Sequence, residues 1–147
     1  MLRKLLITSL LFTALFTVSC EKLKELTGGV TEPITGIDKT YAGPWVAQSE
    51  DINSVFFGSR MVIDENGGMT YQDAKASKQL IFESSAILKL GDSYTAIYTE
   101  NNPDDPSITD TYTLVIKFNS TTEATVNYTK SVANNTSTGE NGIFKRQ

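Results

Sequence analysis

The strongest constraint on the fold is a period of two in the distribution of apolar side chains. Residues 111–118 and 123–130 both alternate between apolar and polar positions, and residues 119–122 supply a turn between them. The apolar side chains that share one face are Tyr112, Leu114, Ile116 and Phe118 in the first segment and Ala124, Val126 and Tyr128 in the second. Alternation of this kind is typical of β-strands with one buried face.

Turn signals separate further segments of the same kind. Asn66-Gly67 lies between residues 60–64 and 69–73, and Gly91-Asp92 lies between residues 86–90 and 93–99. Such pairs accept the positive φ angles that a tight hairpin requires. Three more short strands are predicted at residues 41–48, 79–84 and 142–146. Short strands at this spacing predict an all-β antiparallel domain.

The meander of about eight strands must cover its own apolar face, because the sequence contains no helical segment long enough to do so. An up-and-down barrel removes the free edges of the sheet with the shortest connections, whereas a β-sandwich would fold the sheet over. We therefore expect a small barrel over residues 40–147, with a β-sandwich as the alternative.

The first twenty residues predict export. Arg3 and Lys4 precede an apolar stretch at residues 5–18, which is too short to span a membrane, and Ser19 precedes the only cysteine, Cys20. Residues 17–20, Thr-Val-Ser-Cys, resemble the lipobox of bacterial lipoproteins. The resemblance implies that residues 1–19 are a signal peptide that is removed, and that Cys20 carries a diacylglyceryl group and acyl chains such as palmitate.

Two features follow from a lipid anchor at Cys20. Residues 20–39 contain Gly28-Gly29 and a polar stretch, so we expect a flexible tether between the lipid and the domain. In lipoproteins of double-membrane bacteria an aspartate after the cysteine causes inner-membrane retention, so Glu21 favours the cell outer membrane. The alternative is a plain secretory signal with cleavage nearby, which would leave a free thiol.

Residues 43–45, Gly-Pro-Trp, resemble the Gly-x-Trp start of lipocalins and other calycin barrels. In that family the tryptophan closes the barrel floor and a basic residue of the last strand packs over its ring, so the resemblance implies a structural pair of Trp45 with Arg146 or Lys145. Residues 109–112, Thr-Asp-Thr-Tyr, stand where the second lipocalin motif would lie, with one threonine inserted.

The inward aromatic side chains either line a ligand cavity or fill the barrel. The candidates for such a lining are Phe82, Tyr94, Tyr98, Tyr112, Phe118 and Tyr128. Eight strands enclose an interior that side chains can just fill, so a packed interior is favoured. A separate candidate site is calcium bound by Asp104, Asp105 and Asp110, because calcium takes six to eight oxygen ligands; no other metal site is expected.

The composition excludes several classes of function. The chain has no histidine and one cysteine, which excludes Ser-His-Asp and Cys-His catalysis and a disulfide within the chain. The formal charge of −4 becomes −6 without residues 1–19, and an acidic chain lacks the basic patch of a nucleic-acid binder. We expect no enzyme and no cofactor.

Two interpretations of function remain open at this point. In the first, a membrane-anchored envelope lipoprotein uses its barrel to bind another protein or to serve envelope structure. In the second, a lipocalin-like carrier holds a small apolar ligand inside the barrel.

Overall fold

The computed structural model describes residues 35–133, 135–136 and 139–147, so the predicted signal peptide and Cys20 lie outside the described residues. The strands are β1 (Gly43–Ala47), β2 (Arg60–Ile63), β3 (Met69–Asp73), β4 (Lys78–Phe82), β5 (Ile87–Leu90), β6 (Ser93–Asn101), β7 (Thr109–Phe118), β8 (Glu123–Val132), β9 (Asn135–Thr136) and β10 (Glu140–Arg146). Two short 3₁₀ turns cover Lys39–Tyr41 and Ser84–Ala86. No helix among the described residues is long and apolar enough to cross a membrane.

The strands form one antiparallel sheet that curls into a nearly closed barrel. The order around the sheet is β4-β3-β2-β1-β10-β8-β7-β6-β5, and the two-residue β9 pairs only with β8. Consecutive strands are therefore neighbours almost throughout, and one seam between β4 and β6 is left unsealed. The prediction of an all-β up-and-down barrel is confirmed.

Strands β4 and β5 together occupy one position in the barrel. Every neighbouring pair in the nine-strand path is antiparallel, so the two end strands, β4 and β5, must run in the same direction. Only residues 83–86, which contain a 3₁₀ turn, connect them. The pair is thus one kinked strand whose first half pairs with β3 and whose second half pairs with β6. Counted by position, the barrel has eight strands.

A short strap at residues 35–37 covers the free edge of β5. Thr35 forms a β-bridge with Leu88, the Gly36 N–H donates to the Ile87 carbonyl at 2.8 Å, and the Ile37 N–H donates to the Gly67 carbonyl at 2.9 Å. Ile37 is buried in the core. The described part of the fold therefore includes residues 35–37, which lie in the segment for which the sequence predicted a flexible tether, because the apolar side chain of Ile37 completes the core.

The barrel has two different ends. The floor carries the turn at residues 39–42, the tight turns at 64–68, 91–92 and 119–122, and the carboxyl end of β10. The opposite end, called the mouth here, carries the connections at residues 48–59, 74–77, 102–108 and 133–139. Three of its four connections are longer than any turn at the floor, and loops commonly carry function.

Side chains fill the barrel at its centre. The rings of Tyr71 on β3 and Tyr128 on β8 stack with centroids 6.0 Å apart, although three strands separate β3 from β8 in the sheet. Phe56, from the connection between β1 and β2, is fully buried and packs edge-on against Tyr128 and Phe144. Phe56 therefore acts as a plug that enters the barrel from the mouth.

The plug depends on a glycine. An ideal Cβ built on Gly142 of β10 would lie 2.5 Å from Cδ2 of Phe56, closer than real Cβ contacts. The Phe56 ring occupies the space that a side chain at residue 142 would need. Packing of this density is typical of protein interiors and leaves little freedom for the ring.

Candidate functional site at the barrel mouth

The mouth contains a network of charged side chains centred on the buried Asp110, the second residue of β7. The Asp110 side chain is 1% exposed, accepts a hydrogen bond from Asn102 Nδ2 at 2.9 Å and forms an ion pair with Lys130 Nζ at 2.9 Å. Asn102 Oδ1 in turn accepts the backbone N–H groups of Asp104 and Asp105, at 2.9 and 3.2 Å. The network thus joins β8 to the connection between β6 and β7.

A second ion pair crosses the unsealed seam. Lys78, the first residue of β4, pairs with Glu100 near the end of β6. The Tyr112 hydroxyl donates to Glu100 Oε1 at 2.9 Å and lies 3.1 Å from Lys78 Nζ. Deeper in the seam, the rings of Phe82 and Tyr98 meet edge-on at 6.1 Å. Side chains therefore bridge the part of the seam nearer the mouth, where backbone pairing between β4 and β6 is missing.

Both lysines of this network lie close to the Tyr112 ring. Lys78 Nζ is 4.6 Å and Lys130 Nζ is 5.2 Å from its ring centroid. An aromatic ring face attracts a cation at such distances. Because each lysine also has its own carboxylate partner, the two positive charges are tolerated close together.

The hydrogen bonds and ion pairs of the network shift the pKa values of its members. The hydrogen bonds from Asn102 and Lys130 lower the pKa of Asp110, and the hydrogen bond to Asp110 raises the pKa of Lys130. Partial burial, followed by the nearby charge of Lys130, lowers the pKa of Lys78. The Asp110–Lys130 pair thus stays ionised over a wide range of pH.

A cavity of about 310 Å³ opens at the mouth beside this network. The residues that line it are Val55, Asp73, Lys75, Ala76, Tyr128 and Lys130. Asp73 is 5% exposed; its Oδ1 accepts the Ala76 N–H at 2.8 Å, and the Tyr128 hydroxyl lies 3.5 Å from its Oδ2. The cavity has the volume of a small ligand site.

The wall of this cavity is held by the plug connection. Glu140 Oε2 accepts the Val55 N–H at 3.1 Å, and Ser59 Oγ donates to the Val55 carbonyl at 3.2 Å. The same Ser59 Oγ accepts the Ala74 N–H at 3.4 Å. These contacts connect residues 54–59 to the turn between β3 and β4.

One buried hydroxyl near the mouth has no hydrogen-bond partner among the described residues. Tyr71 is fully buried, and its hydroxyl makes no hydrogen bond of normal length and angle, although the nearby Ser59 hydroxyl lowers the pKa of Tyr71 slightly against the larger effect of burial. Burial, more than any neighbouring charge, raises the pKa of Tyr71, and burial has the same effect on the pKa of Tyr128. Both phenols therefore stay protonated in the folded chain.

The proposed pair of Trp45 and Arg146 is brought together at the floor. The two residues are register partners on β1 and β10, and Trp45 is fully buried. Trp45 Nε1 donates to the Tyr41 carbonyl at 2.9 Å, whereas the Arg146 guanidinium donates to the carbonyls of Thr40 and Ala42. Among the described residues no cation lies over the indole ring, so both side chains instead fix the turn at residues 39–42.

The six aromatic residues predicted to line a cavity pack against other rings. Tyr98 and Tyr112 are 6.1 Å apart, Tyr112 and Tyr128 are 6.4 Å apart, and Tyr94 meets Phe118 edge-on at 5.7 Å. Phe118 also stacks on Tyr41 at 3.7 Å and contacts Trp45 at 5.3 Å. These side chains fill space within the barrel, and only Tyr128 also lines the cavity at the mouth.

The three aspartates proposed for calcium have separate roles in the structure. Asp110 is turned inward to Lys130, whereas Asp105 Oδ1 accepts the N–H and hydroxyl of Ser107 at 3.0 and 2.7 Å. The Asp104 side chain is exposed. No group of three or more acidic or cysteine side chains in the described part of the chain is arranged to hold a metal ion.

Two parts of the mouth are not marked by any local sequence pattern. Phe56 lies in a connection without periodicity, so its burial had no local signal. Lys78 bridges the seam because β4 lies beside β6, and no local pattern distinguishes it from a solvated surface lysine. Only the folded sheet shows that Lys78, at the start of β4, lies opposite Glu100 of β6.

Comparisons with known proteins assign neither a family nor a function to the chain. No protein-family model matches the chain, and no curated protein matches it. One solved structure that resembles it is Treponema pallidum Tp0751 (pallilysin), at 20% identity, with a TM-score of 0.46 and coverage of 92% of this chain and 94% of that chain. This likeness is too distant to assign a function.

Proposed function

We propose that this chain is a non-catalytic envelope lipoprotein that is anchored by a lipid on Cys20, favouring the outer membrane, and binds a basic protein partner with the mouth of its barrel. The observation that carries the proposal is the filled interior, in which Tyr71 and Tyr128 stack across the barrel. A filled interior does not favour the interpretation as a carrier that holds an apolar ligand inside the barrel. Recognition is then left to the outer surface.

The path of the strap supports the mouth as the exposed end. Strand β5 runs toward the floor, and Thr35 and Gly36 run antiparallel to it, so Thr35, the first described residue, lies on the floor side of Gly36 along β5. A lipid on Cys20 would then hold the floor toward the membrane. The mouth, with its longer connections, would face away from the membrane.

Charge is distributed unevenly between the two ends. The mouth half has eight acidic and four basic side chains, a formal charge of −4, and the floor half has six acidic and five basic ones, a charge of −1. The mouth set is Glu50, Asp51, Asp73, Glu100, Asp104, Asp105, Asp110 and Glu140 with Arg60, Lys75, Lys78 and Lys130. The remaining described charges belong to the floor half. An acidic end steers basic partners toward it and raises the association rate.

The absence of histidine and the state of the mouth carboxylates support a non-catalytic role. Asp110 and Glu100 are bound in ion pairs, and Asp73 accepts a backbone N–H within a turn. These groups have structural partners that hold them in place. We therefore assign recognition to the mouth and no reaction.

The test compares two double variants of the full chain with equal change in charge. Glu50→Lys with Asp104→Lys alters the mouth, and Glu65→Lys with Glu83→Lys alters the floor; all four side chains are exposed. The probes are lysozyme and cytochrome c, and the readout is the association rate at low and high salt. We expect the mouth variant to slow association at low salt at least about fivefold more than the floor variant. Equal effects of the two variants would contradict the proposal.

A further inference from the structure

The cavity at the mouth carries two opposite charges that do not neutralise each other. Asp73 and Lys75 both line it, and no ion pair joins them in the described part of the chain, which places their charged atoms more than 4.0 Å apart. Lys130, the third charged residue of the lining, is bound to Asp110. The cavity therefore offers one carboxylate and one ammonium at separate points.

The Asp73 carboxylate and the Lys75 ammonium can each form further contacts with a ligand. Asp73 Oδ1 accepts one backbone N–H, and the contact that Oδ2 makes, to the Tyr128 hydroxyl, is long at 3.5 Å. Lys75 Nζ donates to the Asn53 carbonyl, and an ammonium has three N–H groups. A nearly buried carboxylate without an ion-pair partner is costly, and a bound cation would reduce that cost.

The rest of the lining is apolar. Val55, Ala76 and Tyr128 supply apolar surface in the same lining, and the contacts of Val55 to Glu140 and Ser59 hold its backbone in place. A volume of about 310 Å³ accommodates a molecule of a few heavy atoms beyond its charged groups. The lining thus matches a small molecule with a cation, an anion and an apolar part.

We propose that this cavity binds a small zwitterion with an apolar side chain, that is, a free apolar α-amino acid. The ligand ammonium lies at Asp73, the ligand carboxylate lies at Lys75, and the apolar side chain packs against Tyr128 and Val55. This site lies at the same mouth as the proposed protein interface, but its ligand contacts use only residues that line the cavity and require neither the partner nor the lipid anchor. Its failure would leave both of those proposals standing.

The experiment titrates the full chain in detergent with L-leucine, with leucinamide, which lacks the carboxylate, and with isocaproate, which lacks the ammonium. We expect saturable heat with leucine and at least about tenfold weaker binding of each analogue, because each loses one charge-assisted contact. Equal affinity for all three compounds, or no binding of leucine, would overturn the proposal.

Two variants assign the contacts separately. Asp73→Asn should weaken the binding of leucinamide and leave the binding of isocaproate unchanged. Lys75→Gln should weaken the binding of isocaproate and leave the binding of leucinamide unchanged. A variant that loses its fold would lose the binding of both compounds. The Asn side chain can still accept the Ala76 N–H, which favours a folded variant. Lys117→Gln, which removes an ion pair with Asp92 at the floor, is the control and should leave all affinities unchanged. If each variant lost the binding of both analogues while circular dichroism showed an intact fold, the assigned contacts would be contradicted.

Discussion

Tyr71 and Tyr128 stack with ring centroids 6.0 Å apart although β2, β1 and β10 lie between their strands. The contact crosses the interior of the curled sheet, so it joins the two sides of the barrel. The two phenols differ in their hydrogen bonds: the Tyr128 hydroxyl has Asp73 within 3.5 Å, whereas the Tyr71 hydroxyl has no partner among the described residues.

Tyr71→Phe should leave the free energy of unfolding unchanged or raise it by about 1 kcal/mol, because it removes a buried hydroxyl that makes no hydrogen bond. Tyr112→Phe is the matched control: its hydroxyl bonds to Glu100 and Lys78, so the change should lower the free energy of unfolding by about 1 kcal/mol or more. Urea unfolding of both variants measures the difference. A loss in Tyr71→Phe as large as that in Tyr112→Phe would show that the Tyr71 hydroxyl is bound.

Gly142→Ala should lower the free energy of unfolding by about 1–3 kcal/mol, because the new methyl group overlaps the Phe56 ring. Phe56→Leu replaces the ring with a smaller side chain. Gly142→Ala should therefore lower the free energy of unfolding by less in the Phe56→Leu variant than in the natural chain. A double-mutant cycle by chemical denaturation measures this coupling. Additive effects of the two changes would contradict the plug.

Asp110→Asn should change how stability depends on pH. The pKa of Asp110 is lowered in the fold, so its carboxylate stabilises the folded state above its ordinary pKa of about 4, and this contribution is lost as the pH falls through the lowered value. The difference in urea midpoint between the natural chain and the variant should therefore be largest at neutral pH and shrink below about pH 4. Asp104→Asn, at an exposed side chain, serves as the control. A difference that stays constant with pH would exclude the role of this carboxylate.

The lipid anchor predicts a defined chemical form of the chain. Intact-mass analysis of membrane-extracted protein should show loss of residues 1–19 and addition of lipid to Cys20. Cys20→Ala should leave the membrane fraction, because the acyl chains supply the membrane affinity. A Cys20→Ala protein that still partitions with membranes would refute the anchor.

The strands could be predicted from the sequence because their signals are local. Alternation placed Leu114, Ile116 and Val126 on the inner face, and all three are fully buried. The hairpin at Asn66-Gly67 was also predicted, and Gly67 adopts φ +84°. Predicted strand bounds lie within about two residues of most observed ones, since turns and apolar periods are properties of neighbouring residues.

The other features of the fold and of the mouth depend on contacts between residues that are far apart in the sequence. The kink that lets β4 and β5 share one position follows from the direction of nine strands together, which no single segment contains. Ile37 lies in a segment with the composition of a tether, yet the edge of β5 takes it into the core. The mouth network was visible only in part, because Asp110 and Tyr112 belong to a motif, whereas Lys78 and Glu100 meet across the seam.

The central claim is that the anchored barrel presents its mouth away from the membrane, and energy transfer to the membrane surface tests it most directly. Glu50→Cys at the mouth and Glu65→Cys at the floor each give one site for a donor dye, and the acceptor dye is placed on lipid head groups of vesicles that hold the anchored protein. The two sites are separated by roughly 25 Å along the barrel. We predict clearly weaker transfer from residue 50 than from residue 65. Equal transfer from the two sites, or stronger transfer from residue 50, would contradict the account.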